Sequence, residues 1–348
     1  MSRNCHISYR LLFALSVLSL ILSCNKDLPL PDIKSDKKIV LLGELIAGDT
    51  FLFRAGQSMP VTKNGQQQFE LARNITITVR DTTGASYVMK GQEDSWSTLL
   101  YTIPFSLDRT VASGNTYIIT AMHPSLGTAT ANVRIPGPIT ATVSDTASVV
   151  YNSENTLAIK VMIKNPANVS NYYVIEAVKQ IMDIRGYYFY NNTWNAIADD
   201  TAFYHQLKAA GQVATRFDTF YHEDYSRQSL YTADPYSENV ANDGMLTKSR
   251  RVLLEDAGFN GQDHETTVYI VKDALISEDQ RGRIIFHIKS VSEDYFNFLK
   301  AYEIYLPTIS YSSTAQPVKV HGNVQNGYGM IGGVSEVKYI YINDTWDF

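Results

Sequence analysis

Beyond Ile39, apolar and polar positions alternate mostly with a period of two. Ile75, Ile77 and Val79 alternate with Thr76, Thr78 and Arg80, the pattern of a strand with one buried face. Asp81-Thr82-Thr83-Gly84 then turns the chain into Ser86-Tyr87-Val88-Met89. Further strands are predicted at 39–46, 99–105, 116–121 and 128–135, separated by turn signals at Pro104, Ser113-Gly114-Asn115 and 124–127. Such a series of short strands within roughly 100 residues predicts a small β-sandwich of immunoglobulin-like type. It lacks the Cys-Trp-Cys core of antibody domains.

Pro136-Gly137-Pro138 punctuates the pattern and marks an expected domain boundary. Strands resume at 157–163 and 172–178. The segment 187–245 is different, rich in Tyr, Asn and Asp with weak periodicity. It reads as long excursions from a sheet, with a short helix near 202–210. Strands return at 251–254, 266–272 and 283–290. Ser292 then offers a helix cap, and Glu293 and Asp294 suit the positive end of the helix dipole. Tyr295, Phe298, Leu299 and Tyr302 make one apolar stripe for packing on a sheet, and Pro307 limits the helix. Strands at 317–324 and 334–342, separated by a glycine cluster, close the pattern. The predicted fold is mainly β: an immunoglobulin-like sandwich over 39–137, then a larger β-rich domain over 138–348 with one or two short helices.

The N-terminus follows another pattern. Arg3 and Arg10 precede twelve apolar residues, Leu11 to Leu22. As a helix these span about 18 Å, short of the roughly 30 Å hydrocarbon core, so a removable signal peptide is expected. Ile21-Leu22-Ser23-Cys24 has the form of a bacterial lipobox, in which the Cys24 thiol receives diacylglycerol. The bland alternative is an ordinary secretory signal followed by a chance cysteine. On the lipobox reading, residues 1–23 are the signal peptide, and 24–38 are the lipidated cysteine and an extended polar, Pro-containing tether. Asn25 follows the cysteine, so the familiar inner-membrane retention signal is missing, and Lys26-Asp27 has some likeness to charged surface-export signals. Cleavage removes Arg3 and Arg10, lowering Lys plus Arg from 30 to 28 against 35 Asp plus Glu, so the net charge deepens from −5 to −7.

Composition narrows the chemistry. Cys5 and Cys24 are the only two cysteines, so the body holds no disulfide framework, Cys-based zinc site or Cys nucleophile. The acidic balance argues against nucleic acid as a partner. Gly327-Tyr328-Gly329-Met330-Ile331-Gly332 matches a dinucleotide fingerprint, but no helix and acidic residue follow as that motif requires. The five glycines between Gly322 and Gly333 are instead expected to permit turns and bulges. His222-Glu223 and His264-Glu265 lack the second histidine of a zincin, and no nucleophile elbow or phosphate-binding loop is present. Asp199-Asp200 and the 239–244 stretch offer oxygens to calcium but lack EF-hand spacing. No cofactor, metal or enzymatic activity is therefore expected. The 23 tyrosines concentrate most suggestively in Tyr187, Tyr188 and Tyr190, with Phe189 and Trp194 alongside. In a loop these rings would stack on sugars or seat a protein; in a strand, half of them would be core. Both readings stay open. Trp346-Asp347-Phe348 ends the chain as outer-membrane barrels often end, but the body lacks serial lipid-facing strands.

Two segments carry a resemblance. Ser290 to Lys300, with Ser292-Glu293-Asp294-Tyr295-Phe296 at its centre, resembles a signature helix. Gln316 to Gly333, with Asn323-Val324-Gln325-Asn326-Gly327-Tyr328-Gly329, resembles the segment that follows it. Together they are similar to Bacteroidota lipoproteins of domain-of-unknown-function family 4249, over nearly the whole mature chain. Val320-His321-Gly322 departs from the more tyrosine- or serine-like stretch expected before Asn323. The resemblance implies a place rather than a reaction: the outer membrane, beside TonB-dependent receptors. The leading expectation is a non-enzymatic accessory or binding partner of such a receptor in nutrient or peptide capture. The alternative is an independent surface module that binds glycan or peptide through Tyr187, Tyr188, Tyr190 and Trp194, with a hydrolase as a third reading.

Overall fold

The computed structural model describes residues 36–59, 70–238, 248–271, 281–310 and 319–342. Lipobox residue Cys24, most of the tether, the 239–244 stretch and the C-terminal Trp346-Asp347-Phe348 lie outside them. The described chain is mainly β. It begins with β1 (Ile39–Ile46), β2 (Thr50–Gln57), β3 (Thr76–Arg80), β4 (Ser86–Val88) and β5 (Lys90–Gly91). A single helical turn, α1 (Ser97–Leu100), leads into β6 (Thr102–Thr110), β7 (Thr116–His123) and β8 (Gly127–Arg134). After Pro136-Gly137-Pro138 come β9 (Thr140–Tyr151), β10 (Glu154–Lys164), the nineteen-residue β11 (Tyr172–Tyr190) and β12 (Thr193–Ala196). Helix α2 (Thr201–Ala209), β13 (Ala214–Arg227), β14 (Leu230–Thr232), β15 (Val252–Glu255) and β16 (His264–Val271) follow. The last elements are β17 (Arg281–Val291), α3 (Glu293–Ser310), β18 (Val324–Gln325) and β19 (Tyr328–Ile342).

One ten-stranded sheet runs β12-β11-β17-β19-β1-β2-β6-β5, with β13 and β15 also paired to β11. It takes strands from both sides of Pro136-Gly137-Pro138. Against its β1, β2 and β6 portion lies the five-stranded sheet β18-β8-β7-β3-β4, and Ile39, Leu41, Phe53, Ile77, Ile119 and Val133 fill the space between. This is the expected N-terminal sandwich. Ile75, Ile77 and Val79 are buried in it, as their alternation required. Against the β11, β17 and β19 portion lies the four-stranded sheet β14-β16-β10-β9, around Ile159, Val161, Tyr173, Ile175, Phe286 and Ile288. Helix α3 covers another part through Tyr295, Phe296 and Leu299, packed with Val174, Met330 and Val334.

Three expectations change. The apolar pair Leu99 and Leu100 is not the start of a strand; it belongs to α1, 65% and 51% exposed, and β6 begins at Thr102. Helix α3 continues past Pro307 to Ser310, and Phe296 rather than Phe298 is its fully buried ring. Phe298 and Tyr302 stack on each other along its flank, ring centroids 5.7 Å apart. The last three glycines of the cluster sit within β19 rather than in a turn. They allow close approach, since a Cβ on Gly332 would lie 2.4 Å from the Tyr295 ring and one on Gly333 would lie 1.9 Å from the Arg134 carbonyl oxygen.

Candidate functional site

Strand β11 outruns the sheets that sandwich its first half. Its later residues pair with β13, from Met182 opposite Tyr221 to Phe189 opposite Ala214, and its last four with β12. Antiparallel partners point to the same face and successive residues to opposite faces, so register sorts the side chains of this arm. One face carries Arg185, Tyr187 and Phe189 from β11, Arg216, Asp218 and Phe220 from β13, and Trp194 from β12. The Arg216 guanidinium lies 5.1 Å from the Tyr187 ring centroid and 5.2 Å from that of Trp194. Arg185 lies 5.1 Å from the Phe220 ring. Arg216 also pairs with Asp218 at 3.1 Å, and Phe189 and Trp194 tilt against each other at 5.3 Å. Phe189, Trp194 and Phe220 are about two-fifths to half exposed. Rings braced by arginine need little reordering on contact and offer apolar area with fixed charge.

The opposite face is partly covered by α2. Asp200 caps that helix, accepting from the Phe203 amide at 2.9 Å. Tyr188, Ile197, Tyr204 and Leu207 form a small core beneath it. Gly186 leaves the room this needs, because a Cβ there would come within 2.6 Å of Ile197. The four candidate binding residues are thus divided. Tyr187 and Trp194 share the open face; Tyr188 is buried at 5% exposure; Tyr190 is partly exposed, with its ring edge-on to Phe203 at 5.0 Å. The sequence reading had missed Arg185, Arg216 and Phe220. The alternation of Arg216, Asp218 and Phe220 was their signal, but only the β11–β13 register brings them to Tyr187 and Trp194.

A second cluster is polar and buried, between α3 and the large sheet. Glu176 accepts from Arg251 at 2.5 Å and from Lys289 at 3.1 Å. Lys289 also reaches Glu44 at 3.2 Å, Tyr295 donates to Glu44, and Arg251 donates to Glu303. Burial alone would raise the Glu176 pKa, but the Lys289, Arg251 and Arg227 charges hold it down to about 2. Burial would lower the Lys289 pKa, yet the Glu44 and Glu176 carboxylates keep it above its usual value. Each buried charge meets an opposite one, which makes this a structural cluster.

The histidines are placed individually. His264 meets Asp234 at 2.6 Å and stacks on Phe259, and His287 meets Glu336 at 3.0 Å. Among the described residues no group of three or more His, Cys, Asp or Glu could hold a metal. A cavity of about 720 Å³ opens where the first residues of α3 meet the β10–β11 loop, with Arg134, Asn132, Asn171 and Glu293 in its wall. It shares no lining residue with the aromatic face.

Comparisons with known proteins complete this description. A family model described as Domain of unknown function (DUF4249) matches residues 27–340. No curated protein matches the sequence. A solved crystal structure of a DUF4785 family protein from Legionella pneumophila subsp. pneumophila str. Philadelphia 1 aligns with 74% of this chain and 54% of its own, at 7% identity and a TM-score of 0.23. A likeness that faint carries no argument.

Proposed function

We propose a function from one premise: the chain belongs to the DUF4249 family. The protein is a non-enzymatic outer-membrane lipoprotein, anchored through Cys24, that binds a TonB-dependent receptor and assists in capturing a nutrient or peptide. The observation that carries the binding role is the open face of Tyr187, Trp194, Phe220 and Arg216. Aromatic rings and arginines are the residues that dominate binding energy at protein interfaces. The position of this face supports the same reading. From Tyr328, which pairs with Val40, β19 runs fourteen residues to Ile342; through Arg283 the register passes to Gln180, and seven more residues of β11 reach Tyr187. At about 3.3 Å per residue that is roughly 70 Å of strand path from the point where the tether joins β1. A chain held at its N-terminus would thus present the arm away from its anchor.

Purifying the native protein from detergent-solubilised outer membrane tests this. A receptor should co-purify, and recovery as an unaccompanied monomer counts against the proposal. Trp194→Ala and Arg216→Ala should each change folding stability by less than about 0.5 kcal/mol. Each should weaken partner binding by about 2 kcal/mol, roughly thirtyfold. The second reading, a free-standing glycan- or peptide-binding module, uses the same face. It would be favoured if the isolated protein bound glycans or peptides with the same sensitivity to Trp194→Ala. Tyr188 does not suit such a test, because its replacement opens the small core under α2.

A further inference from the structure

The exposed residues of α1 stand at the other end of the molecule. Trp96, Leu99 and Leu100 are 58%, 65% and 51% exposed, three large apolar side chains around one helical turn. The turn is held firmly. Arg54 grips the Asp94 carboxylate with both terminal nitrogens, each at 2.9 Å, and reaches Thr102 through Nε at 2.9 Å. Asp94 in turn accepts from the Trp96 amide at 3.1 Å and from the buried Ser97 hydroxyl at 2.8 Å. A side-chain network therefore fixes a turn whose apolar residues face outward, where the hydrophobic effect alone would leave them unfavourably wet.

The place of this turn identifies its occupant. α1 leads into Thr102, which pairs with Gly56 on β2, and Gly56 pairs with Val40 on β1. The patch is thus two strand spacings, about 10 Å, from the point where residues 24–38 join the body. Those fourteen steps of chain extend at most about 50 Å and average nearer 20 Å as a flexible coil. Exposed Tyr328 pairs with Val40 at the same end, and the Lys38 ammonium lies 5.4 Å from its ring. Aromatic rings with lysines beside them suit the interface between headgroups and hydrocarbon.

We infer that Trp96, Leu99 and Leu100 dip into the bilayer interface beside the lipid anchor and fix how the body stands on the membrane. The inference rests on the lipid-anchor part of the proposed function. It extends that reading by giving the anchored protein a second membrane contact, opposite the aromatic arm.

The test captures the mature chain, carrying a hexahistidine tag in place of Cys24, on vesicles of phosphatidylethanolamine and phosphatidylglycerol with a nickel-chelating lipid. Tethering keeps the local concentration high, so weak intrinsic affinity does not hide the contact. Subtracting the emission of the Trp96→Phe variant isolates Trp96. The expected result is a blue shift of Trp96 on capture and its quenching by lipids brominated near the headgroup. Leu99→Ser with Leu100→Ser should abolish both effects, with an unchanged melting curve showing that the fold is intact. Trp96 emission unmoved by vesicles overturns the inference. So does a shift seen only with solubilised outer-membrane protein, which would assign the patch to a protein partner. Labelling with radioactive palmitate in cells reads the anchor separately. Absence of label at Cys24 overturns the anchor while leaving the vesicle result to judge the patch.

Discussion

Replacing Glu176 with alanine is expected to lower the free energy of unfolding by about 3 kcal/mol or more, measured by urea denaturation at neutral pH. Glu176 is 3% exposed and is the shared acceptor of Arg251 and Lys289, themselves 4% and 5% exposed. Its loss leaves two buried cations with only Glu303 and Glu44 for compensation. Joint replacement of Glu176 and Lys289 by methionine should recover part of the loss, because it removes one buried charge of each sign. A Glu176→Ala variant as stable as the parent would show that the cluster contributes nothing. The same residue predicts an acid limb. A carboxyl whose pKa falls from 4.5 to about 2 on folding contributes stability above pH 4.5. That contribution disappears as pH drops through 2. Glu336 adds to the same window: burial works to raise its pKa, while His287 and Lys338 hold it down to about 2. Unfolding free energy should therefore fall between pH 4.5 and 2, less steeply in Glu176→Gln.

Gly329→Ala should be comparably damaging, by about 3–6 kcal/mol. Gly329 has φ +109°, where a side chain strains the backbone, and it pairs with Leu41 in the parallel β1–β19 ladder. A Cβ there would sit 2.0 Å from the Leu41 carbonyl oxygen, so strand and ladder must shift together. Gly114→Ala supplies the contrast. Its φ is +73° but nothing lies within 4 Å of an added Cβ, so only backbone strain of about 1 kcal/mol is expected. Equal urea midpoints for the two variants would refute the steric argument.

Where one face of a strand is buried and the other wet, the sequence disclosed the structure. β3 was legible from three apolar residues at alternate positions, and the start of α3 from its cap and acidic first turn. The arm defeated the same reading because both faces of β11 carry rings: Tyr188 is covered by α2, while Tyr187 and Phe189 remain open. Period-two analysis has no signal when inside and outside use the same residue types. The buried cluster was illegible for a different cause. Glu176 and Lys289 are 113 positions apart, and each alone resembles an ordinary solvent-facing charge. Leu99 and Leu100 misled in the opposite direction, since an apolar pair before Thr102 suggested burial that the turn does not provide. The aromatic candidates were recognisable as a cluster; their division between faces required register.

The parallel pairing of β1 with β19 has a consequence for biogenesis. Val40 lies beside Tyr328, 288 positions later, so the first strand to emerge from a translocating chain meets its partner among the last. Such distant closure is slow, and it cannot begin until nearly all of the body has crossed. During that interval the β1 edge, with Leu41 and Leu45 destined for burial, stands open to proteases and to other nascent chains. Completion of the polypeptide, rather than synthesis of its first sandwich, sets the moment at which this protein escapes quality control.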